Sequence, residues 1–192
     1  MKKIVYTLFV FCFTFLGCSE DNNVNLETVN ITLKFTQNWD GIAISASDFN
    51  QFNFTNENGD LISIERLRYV VSNIIIGGVE KEYQLINIGE NTGSEISLEG
   101  ITKGSKSLSF TFGFRDEDNL DGVYADLNST SFNVPEMLGG GYHYMQFDGK
   151  YKDTNNADAN FNYHAIRAAD ITDPHNIILQ DTSFEVDLGD VE

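Results

Sequence analysis

Apolar and polar residues alternate along much of this chain, and that period of two constrains the fold more than any other feature. Between Val29 and Phe35 every second residue is apolar and the residues between them are polar. Successive side chains of a β-strand point to opposite faces, so such a segment buries one face and wets the other. Similar short runs follow at 61–64, 69–76, 83–88, 95–98, 108–114, 142–147, 161–166 and 177–188.

Turn-forming residues separate these runs, at Asn58-Gly59-Asp60, Gly77-Gly78, Asn91-Thr92-Gly93 and Asp121-Gly122. About nine short strands with almost no helical pattern predict an all-β fold, an antiparallel sandwich or barrel. Of these two we expect a β-sandwich with Greek-key-like connections. The segment 64–72 is ambiguous, because Glu65-Arg66-Leu67-Arg68 is also compatible with the start of a helical turn.

The chain opens with the pattern of an export signal. Lys2 and Lys3 precede the apolar run 4–16, which is too short to span a bilayer as a permanent helix. The segment "FLGC", residues 15–18, resembles a bacterial lipobox, in which the cysteine becomes the lipidated first residue of the mature protein. Cys18 is therefore the predicted lipidation site, and an ordinary signal peptide cut nearby is the alternative.

This reading divides the chain into a signal peptide, 1–17, an acidic tether, 18–27, and one sandwich domain, 28–192. Cys12 lies in the leader and Cys18 is the only other cysteine, so no disulfide is expected. The segment "SEDNN", residues 19–23, resembles the signal that sends lipoproteins of the Bacteroidetes to the cell surface. We therefore expect an outer-membrane lipoprotein, at the cell surface or otherwise on the periplasmic face.

Charge and motifs exclude several function classes. The formal net charge is −17, and removing the two leader lysines makes it −19, a surface that repels nucleic acid and anionic headgroups. Membrane contact is then expected only through the N-terminal lipid. The chain has no G-x-S-x-G motif, no phosphate-binding glycine loop and no free cysteine nucleophile, so we expect no enzyme. The acidic segment 116–122 lacks an EF-hand ligand at Leu120, which favours a solvated loop over a calcium site.

Histidines give the better functional lead, since the chain has only three. His143 lies on the predicted strand 142–147, where it would share a face with Met145 and Phe147, after three glycines that predict a bend or a close backbone approach. His164 ends the next predicted strand, and a hairpin would bring it near His143. Two neutral imidazoles on neighbouring strands would suit a soft metal, whereas hydrogen-bonded structural histidines remain the alternative. His175 follows a proline and is expected in a loop.

Six segments in order and spacing carry a family resemblance: "FTQNWDG", "SIERLRYVVSNI", "YQLINI", "SFTFGF", "VPEMLGGGYHYMQFDGKY" and "FNYHAIRA". Together they resemble the MbnP-like family, in its flavobacterial lipoprotein branch, over roughly residues 28–189. The resemblance implies a β-sandwich in the bacterial envelope. Relatives in methane-oxidising bacteria bind copper through histidines and a tryptophan oxidised to kynurenine, and some are encoded beside a di-haem enzyme of the cytochrome c peroxidase type that performs the oxidation.

Transferred to this sequence, the resemblance implies copper as the bound metal and His143, His164 and Trp39 as its site. It implies an envelope lipoprotein that sequesters or delivers copper, with a di-haem cytochrome c peroxidase-type protein as partner. A metal-free surface module that binds a protein or a glycan is the alternative function. For Trp39, the alternative role is an aromatic residue that caps the sandwich.

Two departures from the family pattern weaken the copper prediction. Gln37 stands where this branch carries a histidine two residues before the tryptophan, and Leu138-Gly139-Gly140 replaces a W-x-W block. Since residues 37 and 39 of a strand share a face, an imidazole at 37 would add a third nitrogen to the histidine pair. We therefore expect glutamine there to leave a weaker site.

Overall fold

The alternation in the sequence becomes thirteen strands in the computed structural model, which describes residues 26–173 and 175–191. The strands are β1 Thr28–Lys34, β2 Asn38–Trp39, β3 Ile42–Ala43, β4 Phe54–Thr55, β5 Leu61–Ile76, β6 Val79–Asn87, β7 Glu95–Thr102, β8 Lys106–Phe112, β9 Met145–Lys152, β10 Asp158–Ala165, β11 Ala168–Asp170, β12 Ile178–Gln180 and β13 Phe184–Val191. One helix, α1 Ala125–Ser129, and two single-turn 3-10 helices, Ala46–Asp48 and Glu136–Leu138, complete the described part. The predicted signal peptide and Cys18 lie outside it.

The strands form an antiparallel β-sandwich, which confirms the predicted fold class. One layer is the pair β1–β7, and the other is a seven-stranded sheet in which β10, β9, β5, β8 and β13 are hydrogen-bonded in that order. β5 is the central strand of the larger sheet. Along one of its edges it pairs first with β9 and then with β8, and along the other edge it pairs with β4 and β6. Two small ribbons, β2–β3 and β11–β12, lie outside these layers.

β5 keeps one face towards the core over sixteen residues although its alternation is interrupted twice. An extra residue, Glu65, bulges opposite β9, and a second irregularity falls at Asn73, whose φ is +48°. After each interruption the side chains that point to the core change from even to odd residue numbers or back. The core-facing residues are Ile62, Ile64, Leu67, Tyr69, Val71, Ile74 and Ile76. The first bulge explains why the sequence around 64–72 was ambiguous and why a single strand was predicted as two.

Two apolar clusters cover the two faces of the large sheet. The first lies between the layers, where β5 packs against Ile96, Leu98 and Ile101 of β7. The second lies on the opposite face, beneath the segment 113–144 that connects β8 to β9, and consists of Val70, Phe114, Leu127, Phe132, Tyr142 and Tyr144. We call these the inner face and the outer face of the sheet. Both faces are covered where β5 meets β9.

Two predicted strands differ from the structure. The predicted strand 177–188 is divided into β12 and β13 by residues 181–183, where Asp181 turns to accept a hydrogen bond from the backbone N–H of Ser183. The predicted strand 142–147 begins only at Met145. Within 26–173 and 175–191 no helix has the length and apolar character needed to cross a membrane.

Candidate metal centre

Three consecutive glycines set the direction of the chain into the site. Gly139, Gly140 and Gly141 have φ values of +102°, +64° and +77°, a region that side chains with a Cβ rarely adopt. A Cβ on Gly139 would lie 2.4 Å from Leu179, and one on Gly141 would lie 2.7 Å from the Asn119 side chain. The glycines thus allow both the bend and the close approach that their sequence predicts.

His143 follows this turn and is almost fully buried. Its backbone N–H donates to the Phe132 carbonyl at 3.0 Å, whereas the next backbone N–H, of Tyr144, donates to Ala165 on the opposite side. Its ring Nδ1 lies 2.9 Å from that same Phe132 oxygen and 3.2 Å from Gln146 Nε2. His143 therefore lies on the outer face with Gln146. The predicted placement beside Met145 and Phe147 is wrong, because residues 142–144 do not continue the pleat of β9.

His164 lies at the end of β10, directly opposite Gln146 of β9. Its Nε2 is 2.8 Å from Asp148 Oδ1. The Asp148 carboxylate is buried, accepts a second hydrogen bond from Asn162 at 2.7 Å and pairs with Arg66 at 3.3 Å. These contacts fix the orientation of the His164 ring.

The structure brings the two imidazoles together, with ring centroids 4.9 Å apart and planes at 90°. With Nδ1–H of His143 donating to the Phe132 carbonyl, Nε2 of that ring carries the free lone pair. With Nε2–H of His164 donating to Asp148, the free lone pair of His164 is on Nδ1. In these tautomers each ring is held through one nitrogen and keeps a lone pair on the other, as a metal-ligating histidine does.

The surroundings favour a neutral His143. Burial lowers the pKa of His143 below its usual value, the Phe132 carbonyl opposes that shift, and the nearby His164 and Arg68 lower the pKa further. Arg68 is fixed by hydrogen bonds from Nε to Gln146 at 2.6 Å and from Nη2 to the Ser131 carbonyl at 3.3 Å, and its guanidinium lies over the Phe132 ring. A neutral imidazole is the form that binds a metal ion.

The donor set fits a metal that accepts few ligands. In the described part of the chain, no three His, Cys, Asp or Glu side chains are grouped so as to hold a metal ion. The pair supplies two imidazole nitrogens, and the positive charge of Arg68 beside them opposes the binding of a cation. Cu(I) suits such a site better than ions that require several oxygen ligands.

Trp39, the third predicted ligand, lies on the other face of the sheet. Its indole N–H donates to the Thr55 carbonyl at 2.8 Å, and its ring packs against Phe54 and Phe147 of the inner face. Gln37 also lies on this side, where its amide donates to the Tyr69 hydroxyl. The sheet thus separates both residues from the histidine pair, and an imidazole at position 37 would not reach it.

His175 occupies a loop, as expected, and its backbone N–H donates to Asp173. Sequence reasoning missed three residues that hold the pair in place, which are Arg68, Gln146 and Asp148. A signal for them existed, because polar residues alternate with apolar ones in "QFD" and in "RLR", and one matching pair, Arg66 and Asp148, carries opposite charges. Pairing the two strands would have placed these residues beside one another.

Fold and geometry define the chain as an all-β sandwich domain with a paired-histidine site on the outer face of its larger sheet. It belongs to the MbnP family, whose family model matches residues 28–191. The match confirms the family resemblance and supports a copper-related binding role, while the flavobacterial branch stays a prediction. Searches of curated proteins and of solved structures gave no match to this chain.

Proposed function

We propose that this protein is a copper-binding lipoprotein of the cell envelope, which sequesters or delivers the metal without turnover of its own. The observation that carries the proposal is the histidine pair, 4.9 Å between ring centroids, with each ring anchored through one nitrogen. Membership of the MbnP family supports the same role.

In this proposal copper is cargo, and the chain supplies its two ligands. His143 would bind through Nε2 and His164 through Nδ1. The Phe132 carbonyl and the Asp148 carboxylate hold the rings, so little rotamer freedom remains to be lost when the metal binds. Burial keeps His143 neutral and therefore ready to bind.

Competition against a chromophoric Cu(I) chelator tests the proposal. His143→Ala and His164→Ala are each expected to lower Cu(I) affinity at least 10-fold, because each removes one of two ligands. His175→Ala is the matched control and is expected to bind as the wild type does. Circular dichroism checks that each variant is folded. If both folded variants retain wild-type affinity, the pair is not the copper site.

We also propose that Cys18 carries the lipid that anchors the protein in the outer membrane. The proposal rests on the sequence "FLGC" and the acidic residues after it. Cys18→Ala is expected to release the protein from membranes or leave it unprocessed, and metabolic labelling with a fatty acid should mark only the wild type. Protease shaving of intact cells then separates surface exposure from the periplasmic face.

Trp39 is the residue that a di-haem peroxidase-type partner would oxidise to kynurenine in this proposal. Its indole is partly exposed at the end of the inner face, beside the Thr55 carbonyl. Peptide mapping of protein from copper-replete native cells is expected to show kynurenine at position 39, absent from recombinant protein made without the partner. Unmodified tryptophan in both samples would assign Trp39 a packing role alone.

One observation favours the alternative, a metal-free module that binds a protein or a glycan. Tyr163 and Phe184 are 60% and 56% exposed and line a groove of about 570 Å³ together with Met145 and His164. Exposed aromatic rings with an apolar groove are typical of recognition surfaces. The double variant Tyr163→Ala, Phe184→Ala distinguishes the two functions. If the alternative is correct, it abolishes binding of the glycan or protein ligand. If the copper proposal is correct, it leaves Cu(I) affinity unchanged.

A further inference from the structure

A second groove, lined by residues of both layers of the sandwich, includes neither His143 nor His164. It has a volume of about 660 Å³ and runs between β1 and β13, the outer strands of their respective layers. Its walls are aliphatic side chains, among them Val29, Ile31, Leu33, Ile101, Leu108 and Val191. The volume and lining suit an apolar ligand of small-molecule size.

Two lysines stand at one end of this groove. Lys103 and Lys106 flank the turn between β7 and β8, and both line the groove. Lys106 is two residues before buried Leu108 on the same strand, so the lysine stem points to the apolar side of the sheet and lies over Gly77. Lys103 pairs with Glu27 at the surface, whereas Lys106 has no carboxylate within ion-pair distance in 26–173 and 175–191.

From this combination we infer that the groove binds a long-chain fatty acid. The hydrocarbon chain lies along the aliphatic walls, and the carboxylate pairs with the ammonium of Lys106 at the mouth. In a chain of formal net charge −17, a lysine at the end of an apolar groove gives an anionic headgroup a favourable position. The inference goes beyond the proposed copper role and uses none of its residues.

An added peptide strand is the competing occupant, and the edge of β13 disfavours it. The pairing of β13 with β8 shifts register between Asp187 and Asp190, where Gly189 adopts a φ of +65°. A bulge with acidic residues on either side is a feature by which natural sheets prevent strand addition at an edge. The edge of β13 is thus poorly suited to the addition of a regular strand.

Fluorescence of cis-parinaric acid, displaced by palmitate, measures binding directly. The protein is the mature chain from residue 19, which lacks the leader and Cys18 and keeps every residue of both apolar clusters. We expect saturable fluorescence that palmitate displaces, and an affinity that rises about fourfold for each methylene added between octanoate and dodecanoate. No displaceable signal, or displacement by a strand-forming peptide but not by palmitate, would overturn the inference.

Matched variants locate the ligand. Lys106→Met keeps the aliphatic stem and is expected to weaken palmitate binding about fivefold, since it removes one charge pair. Its control is Lys34→Met, which breaks an exposed pair with Glu95 and should have no effect.

Val29→Phe fills the groove and is expected to weaken palmitate binding about 10-fold. Its control is Asn30→Phe, which lies on the solvent side of β1 and should have no effect. Wild-type affinity in both groove variants would overturn the inference. His143→Ala should bind palmitate normally, so the copper and fatty-acid proposals fail independently.

Discussion

The inner and outer faces of the sheet come from the same two strands, yet different forces stabilise them. On the inner face, Ile64 and Phe147 pack into the apolar cluster between the layers. On the outer face of the same strands, Arg68, Gln146 and Asp148 are buried and joined by hydrogen bonds and ion pairs. Phe147 lies directly between Gln146 and Asp148 in the sequence, so strand alternation alone divides the two environments.

The difference teaches where function is placed in such a sandwich. The hydrophobic effect that stabilises the inner face does not depend on the orientation of the contacting groups. Each buried polar group on the outer face, in contrast, requires a hydrogen-bond or ion-pair partner. A buried network of this kind fixes ring orientations and contributes little net stability. Apolar packing therefore dominates the inner face, whereas on the outer face a polar network beside the second apolar cluster positions the histidine pair.

The largest effect is expected from removing apolar volume on the inner face. Ile64→Ala should lower the free energy of unfolding by about 3 kcal/mol, because Ile64 is fully buried and the cavity cannot close completely. Ile75→Ala, at a position 37% exposed on the same strand, is the control and should cost far less. Urea unfolding measures both. Similar losses at the two positions would contradict the assignment of the core.

A smaller loss of stability with a larger loss of function is expected on the outer face. Asp148→Asn should lower the free energy of unfolding by about 1–2 kcal/mol, because it removes the charge that pairs with Arg66 and replaces one buried acceptor oxygen by an N–H donor. It should also weaken Cu(I) binding about 10-fold to 100-fold by releasing the His164 ring. Urea unfolding and chelator competition report the two effects.

Asp158→Asn is the matched control, since Asp158 is exposed and pairs with Lys152. It is expected to change stability by less than about 0.5 kcal/mol and to leave Cu(I) affinity unchanged. Equal Cu(I) affinities for the Asp148 variant, its control and the wild type would show that Asp148 does not position the metal ligand.

The smallest effect on Cu(I) affinity is expected at position 37, where the sequence pattern indicated a large one. Gln37→His should leave Cu(I) affinity within about twofold of the wild type, because Gln37 donates to Tyr69 on the inner face and the sheet separates it from His143. Loss of the hydrogen bond from Gln37 to Tyr69 should lower the free energy of unfolding by about 1 kcal/mol. Chelator competition measures the affinity, and a tenfold increase would place the site on the inner face instead.

Much of the fold was predictable from the sequence because alternation reports burial directly. The runs from Val29 to Phe35 and from Glu95 to Leu98 became β1 and β7, the layer that faces the large sheet. The bulge at Glu65 hid the continuity of β5, since one inserted residue inverts the pattern on which such a prediction depends. The segment 113–144 carries no regular period, so its covering of the outer face was not predictable.

The site was predictable only in part. A hairpin between neighbouring strands was enough to bring His143 and His164 together, as β9 and β10 do. The face on which His143 lies depends on three glycines whose positive φ values take the chain out of the pleat. Placing Trp39 with the histidines required knowing which face β2 covers, which is a long-range packing relation that local pattern does not contain.

The central position of β5 also fixes the order in which the molecule is expected to fold. Its pairing with β6 closes through the two-residue turn Gly77-Gly78, whereas its pairing with β9 joins residues such as Arg68 and Gln146, which are 78 positions apart. Loop-closure entropy makes the first pairing early and the second late. The buried surroundings of His143 therefore form among the last contacts of the chain, so the ability to hold a metal is acquired only as folding is completed.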